Sequence, residues 1–278
     1  MDKKEKRELS ESDVKAKFIT PAIVDAGWDE MTQIRREVTL TPGPVIVRGN
    51  LSSRNKKKKK FADYVLYKEF GVQVAVVEAK ENNKTVSDGM QQALGYAELL
   101  EVPSAYSSNG DAFASHNKVP ATGEDIETEF PLTDFPPPNQ LWARYREFHN
   151  IEDDAEALAL EPYYSDGSGK EPRYYQLEAI NRTIEAIAKG ENRILLVMAT
   201  GRGKTYTTFQ IIWRLWKARK AKRILFLVDR NILADQTLSN DFKPFGSTMT
   251  KIKNRKIDPS YEIPVSYTHL TLPTIYSV

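Results

Sequence analysis

The 278-residue chain has no cysteine. Disulfide staples, thiolate nucleophiles and cysteine-based zinc sites are excluded by that alone, and the absence is compatible with a reducing, cytoplasmic setting. Histidine is almost as scarce: His116, His149 and His269 are the only three, and they form no ligand-spaced cluster. No stretch approaches the roughly 20 apolar residues that span a bilayer. Residues 1–13 are charged and lack the apolar core of a secretory signal, so no membrane partner is expected. A dominant charge is missing too. Forty basic residues against 38 acidic ones leave +2, too balanced to mark a nucleic-acid partner by itself.

What is present is a composition of 40% hydrophobic and 28% charged residues, that of a folded protein rather than a disordered one. The length suits about two domains at roughly 100–200 residues each. Basic residues cluster at 56–60 and six times within 214–223, as solvated faces or as phosphate-contacting surfaces. Residues 1–120 alternate helical and strand-like patterns, with an opening helix over 12–26 in which Pro21 is expected to kink or split the path. Strands are expected at 61–67 and 72–79 and a helix at 87–100. Residues 121–172, with Phe135-Pro136-Pro137-Pro138, form a connector carrying a short docking helix at 141–148. From 173 an α/β rhythm follows: helix 175–189, strand 193–198, helix 204–217, strand 223–228, helix 231–240.

Two places carry chemistry. The run Val72-Gln73-Val74-Ala75-Val76-Val77 is apolar on both faces, as a buried central strand should be, and ends in Glu78-Ala79-Lys80. Glu78 and Lys80 share one face of it. Asp63, on the preceding strand, comes near Glu78 if the two strands pair. Two adjacent carboxylates repel unless a cation lies between them, and hard oxygen ligands with room for water suit Mg²⁺. A lysine beside that ion can orient a water and offset charge developing on a phosphate. The alternative is a surface Glu-Lys pair beside an unrelated Asp.

The second place is Ala199-Thr200-Gly201-Arg202-Gly203-Lys204-Thr205, between an expected strand and an amphipathic helix. Glycines there let backbone N–H groups curl around phosphates at a helix N-terminus, Lys204 adds a charge, and the Thr205 hydroxyl can ligate Mg²⁺. The phosphates of a nucleotide are the expected ligand, and the resemblance drawn below implies ATP. A literal Walker A loop would have a glycine where Met198 stands.

Asp63, Glu78 and Lys80 resemble the signature of the PD-(D/E)xK nucleases, with Ala62 where that family usually has proline. Gln92 and Tyr96, four apart on one helix face, match the Gln-x-x-x-Tyr element of the branch that includes type I restriction subunits, and the resemblance implies that they belong to the site. The loop at 199–205 resembles that of superfamily 2 motors. Arg173-Tyr174-Tyr175-Gln176 looks like their adenine-reading motif, with Gln176 as the reader, and Asp229–Gln236 resembles their motif Ia. Together these resemble the R subunit of type I restriction-modification enzymes over nearly all of 11–264. The fold implied is α/β: a restriction-endonuclease-like nuclease domain (1–120), then an incomplete RecA-like P-loop motor domain (173–264) without a Walker B box, so that ATP turnover is not expected of these residues. The implied activity is Mg²⁺-dependent cleavage of double-stranded DNA coupled to ATP-driven translocation, in assembly with methyltransferase and specificity subunits. The alternative is a superfamily 2 ATPase with a non-catalytic DNA-binding module. Glu11 is a weaker candidate for the nuclease site. Residues 265–278 fit no motor motif, and 265–274 look like a translated library adapter. They are expected to be a non-native tail with few core contacts, in which His269 has no role.

Overall fold

The strand that carries the apolar run at 72–77 becomes the centre of a six-stranded sheet. In this computed structural model, residues 2–41, 45–48, 51–54, 60–168, 171–228, 241–252 and 258–267 are described. The chain is mixed α/β and divides into two units, Met1–Pro162 with Pro172–Asn192, and Tyr163–Glu171 with Arg193–Val278.

The first unit opens with α1 (Lys3–Arg7), α2 (Glu11–Val14), a π-helical turn over Lys15–Ile19 and α3 (Thr20–Asp25). Ser10 caps α2 by accepting the Asp13 N–H at 3.2 Å. Pro21 splits the path, as expected, by a specific route. It brings no N–H to the ladder, and the chain widens just before it into a π turn in which the Thr20 N–H reaches the Lys15 carbonyl.

The strands of this unit are β1 (Ile34–Thr41), β2 (Val45–Arg48), β3 (Leu51–Arg54), β4 (Lys60–Glu69), β5 (Val72–Ala79), β6 (Ser104–Ser108), β7 (Ala112–Asn117) and β8 (Glu127–Pro131). The large sheet runs β1-β4-β5-β6-β7-β8, and β2 and β3 form a separate antiparallel pair. All neighbours in the large sheet are antiparallel except β5 and β6. A parallel pair needs a crossover, and α4 (Met90–Leu100) supplies it. Every residue of β5 is buried, because helices and flanking strands cover both of its faces.

Two expectations about boundaries are corrected here. Residues 121–172 are not mainly a connector. Within them β8 joins the sheet, α5 (Pro138–His149) buries Leu141, Trp142 and Tyr145 in the first core, and α6 (Glu156–Leu160) follows. The tri-proline segment is docked by Trp28, whose Nε1 donates to the Pro136 carbonyl at 2.9 Å. Nor does the second unit begin at 173. In α7 (Tyr174–Ala188), Leu177, Ile180 and Ile184 are buried, Asn181 donates to the Gly71 carbonyl at 2.9 Å, and Glu185 accepts from the Tyr145 hydroxyl at 2.6 Å. An amphipathic helix follows the core that receives its apolar stripe, and these partners all lie in the first unit.

In the second unit α8 (Lys204–Lys217) packs Phe209 and Ile212 against Phe242, Phe245 and Ile263. β9 (Phe226–Val228), β10 (Met249–Lys251) and β11 (Ile263–Tyr267) form a parallel sheet in the order β10-β11-β9. The strand expected at 193–198 is not formed. Those residues have no ladder partner among the described ones, and Leu195 and Val197 are 86% and 87% exposed. The position expected to open the tail is also corrected: β11 crosses 264/265, and Val265 is fully buried between β9 and β10. Residues 268–278, the expected helix at 231–240, the motif Ia-like segment and residues 56–59 of the basic run lie outside the described residues. Among the described residues no helix is long and apolar enough to cross a membrane.

Candidate active site

Register brings the nuclease-like residues together. Tyr64 pairs with Val77, so one antiparallel step further along stand Asp63 and Glu78. Asp63 ties the strand ends: its Oδ2 accepts the Ala79 N–H at 2.8 Å. Lys80 follows on the same face as Glu78 and gives its ammonium to Glu78 Oε1 at 2.8 Å. One turn into α4, Gln92 Oε1 lies 3.4 Å from Lys80 Nζ, and Gln92 Nε2 donates to the Tyr96 hydroxyl at 2.8 Å. Glu78, Lys80, Gln92 and Tyr96 thus form one hydrogen-bonded line from β5 to α4, and Asp63 is tied to the same strand end through the Ala79 backbone.

Glu78 is 3% exposed and its Oε2 has no hydrogen-bond partner. Burial pushes its carboxyl up to about 7, against the Lys80 hydrogen bond and with help from the charges of Asp63 and Glu11. For Lys80, burial works against the charge, but the Glu78 carboxylate outweighs it and raises the ammonium above its ordinary value. Burial likewise raises the Tyr96 hydroxyl. An orphaned carboxylate oxygen beside a second carboxylate is what a hard divalent cation would satisfy, with water completing its shell. Among the described residues no group of three or more His, Asp or Glu side chains is placed to hold a metal. The oxygen donors at these strand ends are those of Asp63 and Glu78.

Several residues of this site were not expected from the sequence. Lys15, at the start of the π turn, places its ammonium 2.7 Å from Asp63 Oδ1, 2.8 Å from Glu37 and 3.3 Å from Glu11. Burial opposes that charge, yet Asp63 and Glu37 raise it. Glu37 has φ +52, a left-handed backbone inside β1, at the point where the β1–β4 ladder skips the residue opposite Asp63. Gly89, the cap of α4, has no room for a side chain: a Cβ there would lie 2.9 Å from Glu78 Cγ and 2.7 Å from Ser107 Oγ. The one legible signal was the i,i+4 pair of Glu11 and Lys15, which any solvated helix face can carry.

The phosphate-loop candidates lie in the second unit. Thr200 and Gly201 form a turn, Gly201 and Gly203 have φ +73 and +79, and Gly203 caps α8 in the left-handed region that favours glycine. Thr200, Gly201, Arg202, Lys204 and Thr205 are exposed. Lys204 Nζ donates to the Met198 carbonyl at 2.7 Å, folding back over its own loop. Gln176 lies on α7 in the first unit, 7% exposed, where its Oε1 accepts the Arg173 N–H at 2.9 Å and closes a capping box.

Two family models match the chain: type I restriction enzyme EcoKI endonuclease subunit, second domain, over residues 51–132, and type III restriction enzyme, res subunit, over residues 169–274. The second match runs past the expected break at 264. The type I restriction enzyme EcoAI endonuclease subunit of Escherichia coli is 53% identical over 266 residues, covering 95% of this chain and 33% of that protein. The EcoKI endonuclease subunit of Escherichia coli strain K12 is 30% identical over 322 residues, covering 98% and 27%. Among solved structures, a fragment described as an HsdR subunit of a type I restriction enzyme from Vibrio vulnificus YJ016 has a TM-score of 0.75 at 36% identity, covering 93% of this chain and 47% of that one. The chain spans about a third of the first of these curated relatives and 27% of the second.

Proposed function

The chain belongs to the endonuclease (R) subunits of type I restriction enzymes, and from that premise we propose that its first unit is a Mg²⁺-dependent PD-(D/E)xK nuclease acting on double-stranded DNA. The observation that carries the proposal is the buried Glu78 with a free Oε2, held beside Asp63 and bonded to Lys80. Asp63 and Glu78 would hold Mg²⁺. When bound, the ion supplies Lewis-acid polarisation of the phosphate and a more acidic water. Lys80 orients the attacking water and offsets the charge that develops on the phosphate. Gln92 steadies the Lys80 ammonium and Tyr96 fixes the Gln92 amide, so both act by positioning. Gly89→Ala is expected to push the Glu78 side chain aside and lower metal-dependent nicking of plasmid DNA by about ten- to a hundredfold, at a packing cost of about 1–3 kcal/mol seen in the melting temperature.

The second unit is proposed as part of a RecA-like, ATP-binding motor domain, with Gly201, Gly203, Lys204 and Thr205 as the phosphate cradle, Thr200 and Arg202 flanking it, and Thr205 reaching the nucleotide's Mg²⁺. A phosphate would compete with the Met198 carbonyl for Lys204. Lys204→Ala is expected to weaken ATP binding more than tenfold by calorimetry, on the scale of one lost charge-assisted contact of about 1.5–3 kcal/mol. Undiminished affinity in that variant would remove the assignment. Gln176 is retained as adenine reader only if nucleotide draws it out of its capping box. In the whole protein the nuclease would be coupled to ATP-driven translocation in the cytoplasm, in assembly with methyltransferase and specificity subunits.

A further inference from the structure

We propose that Lys15 is a built-in counter-ion for the nuclease site: its ammonium holds Asp63 Oδ1 while metal is absent and is released toward Glu37 and Glu11 when Mg²⁺ binds. The inference rests on the metal-site reading above and adds to it a positioning residue with a defined exchange. Three placements support it.

Asp63 has two oxygens with separate tasks. Oδ2 is committed to the Ala79 N–H, a bond that ties β4 to the end of β5, so Oδ1 is the oxygen left to face a cation. Lys15 Nζ occupies that oxygen at 2.7 Å. An ammonium held at that oxygen repels an arriving Mg²⁺ at close range, so metal binding favours its withdrawal.

The ammonium has somewhere to go. Glu37 and Glu11 flank it at 2.8 and 3.3 Å, with side chains 63% and 40% exposed against 12% for Asp63. Withdrawal toward them keeps the charge paired and costs little desolvation. Both anchors are specially placed: Lys15 begins the π turn, and Glu37 holds a left-handed backbone at the skipped position opposite Asp63. Departures of both kinds from regular structure concentrate at functional sites.

Glu78 supplies the asymmetry. Its Oε2 has no hydrogen-bond partner; Lys80 serves only Oε1 and Lys15 serves Asp63. A divalent ion satisfies that oxygen as well as Asp63, and a second ammonium does not reach it. The exchange therefore favours the metal, with Lys15 as the alternative partner of Asp63 Oδ1.

The test uses the wild-type chain and Mg²⁺ alone, without nucleotide or DNA. Brief amine acylation followed by mass spectrometry reads the reactivity of Lys15 against Lys17, a neighbour on the same helical path whose side chain is 52% exposed. Lys15 is expected to label several-fold faster with Mg²⁺ and Lys17 to stay unchanged. Asp63→Asn is expected to abolish the Mg²⁺ dependence. In calorimetry with Mn²⁺, Lys15→Met is expected to bind several-fold tighter than wild type, having lost the competitor; a merely structural lysine would not produce that gain. If metal binding depends on Asp63 but Lys15 labelling is unmoved by Mg²⁺, the exchange is wrong and the metal site stands. If the wild-type chain shows no Asp63-dependent metal binding, the metal site is wrong and the exchange falls with it.

Discussion

Glu78→Gln is expected to abolish DNA cleavage and, in EDTA at pH 8, to make the protein more stable. Folding raises the Glu78 carboxyl from an ordinary 4.5 to about 7, so the folded state holds that proton more firmly than the unfolded chain does. Stability from this group is complete below about pH 4.5 and is lost as pH rises through about 7. Above that, the native protein carries a buried charge that the unfolded chain would solvate. Glutamine keeps the shape and an acceptor for Lys80 without the charge, and the gain at pH 8 should be about 3 kcal/mol, from about 1.4 kcal/mol per pK unit. Melting curves at pH 5 and pH 8 check it: the variant should gain at pH 8 and little at pH 5. Cleavage should fall by about a thousandfold or more, as for loss of a group stabilising transition-state charge. Equal melting shifts at both pH values would show that the Glu78 charge is not the cost.

Lys80→Met is expected to lose both properties together. It removes the cation that serves the phosphate, for about a hundred- to a thousandfold loss of cleavage. It also strips the buried Glu78 of its Oε1 partner, at about 1–3 kcal/mol, a loss that should shrink at low pH as Glu78 protonates. Mg²⁺ is expected to restore most of the stability and none of the cleavage. Opposite signs of stability change in these two variants, with the same loss of activity, would distinguish a functional buried pair from a structural one. A structural pair would weaken on loss of either partner.

The parts of the site legible in the sequence are those fixed by a single strand and its immediate neighbours. The apolar run at 72–77 announced a covered strand, alternation put Glu78 and Lys80 on one face, and helical spacing put Gln92 beside Tyr96. Lys15 and Glu37 were not legible, because one depends on a π turn and the other on a left-handed residue inside a strand, and neither leaves a compositional trace. The segment 193–198 was misjudged for the opposite reason: Ile, Leu and Val favour strands only when a neighbouring ladder receives them, and Leu195 and Val197 have none among the described residues. The adenine-reader motif at 173–176 rests on its position before the loop, and the bond from the Arg173 N–H to Gln176 Oε1 at the start of the same helix was not legible there.

The sequence distances within the site also bear on how it assembles. Asp63 and Ala79 are 16 residues apart and Lys80 and Gln92 only 12, whereas Lys15 and Asp63 are separated by 48. A hairpin and the turn after it close short loops, which form sooner than contacts that must span a long stretch of chain. The carboxylate pair would therefore exist on the folding chain before the opening helix arrives to neutralise it. Millimolar magnesium present during refolding is expected to slow that late docking step in wild type, by competing with Lys15 for Asp63, and not in Asp63→Asn, a kinetic signature readable by stopped-flow fluorescence from Trp28, just past α3.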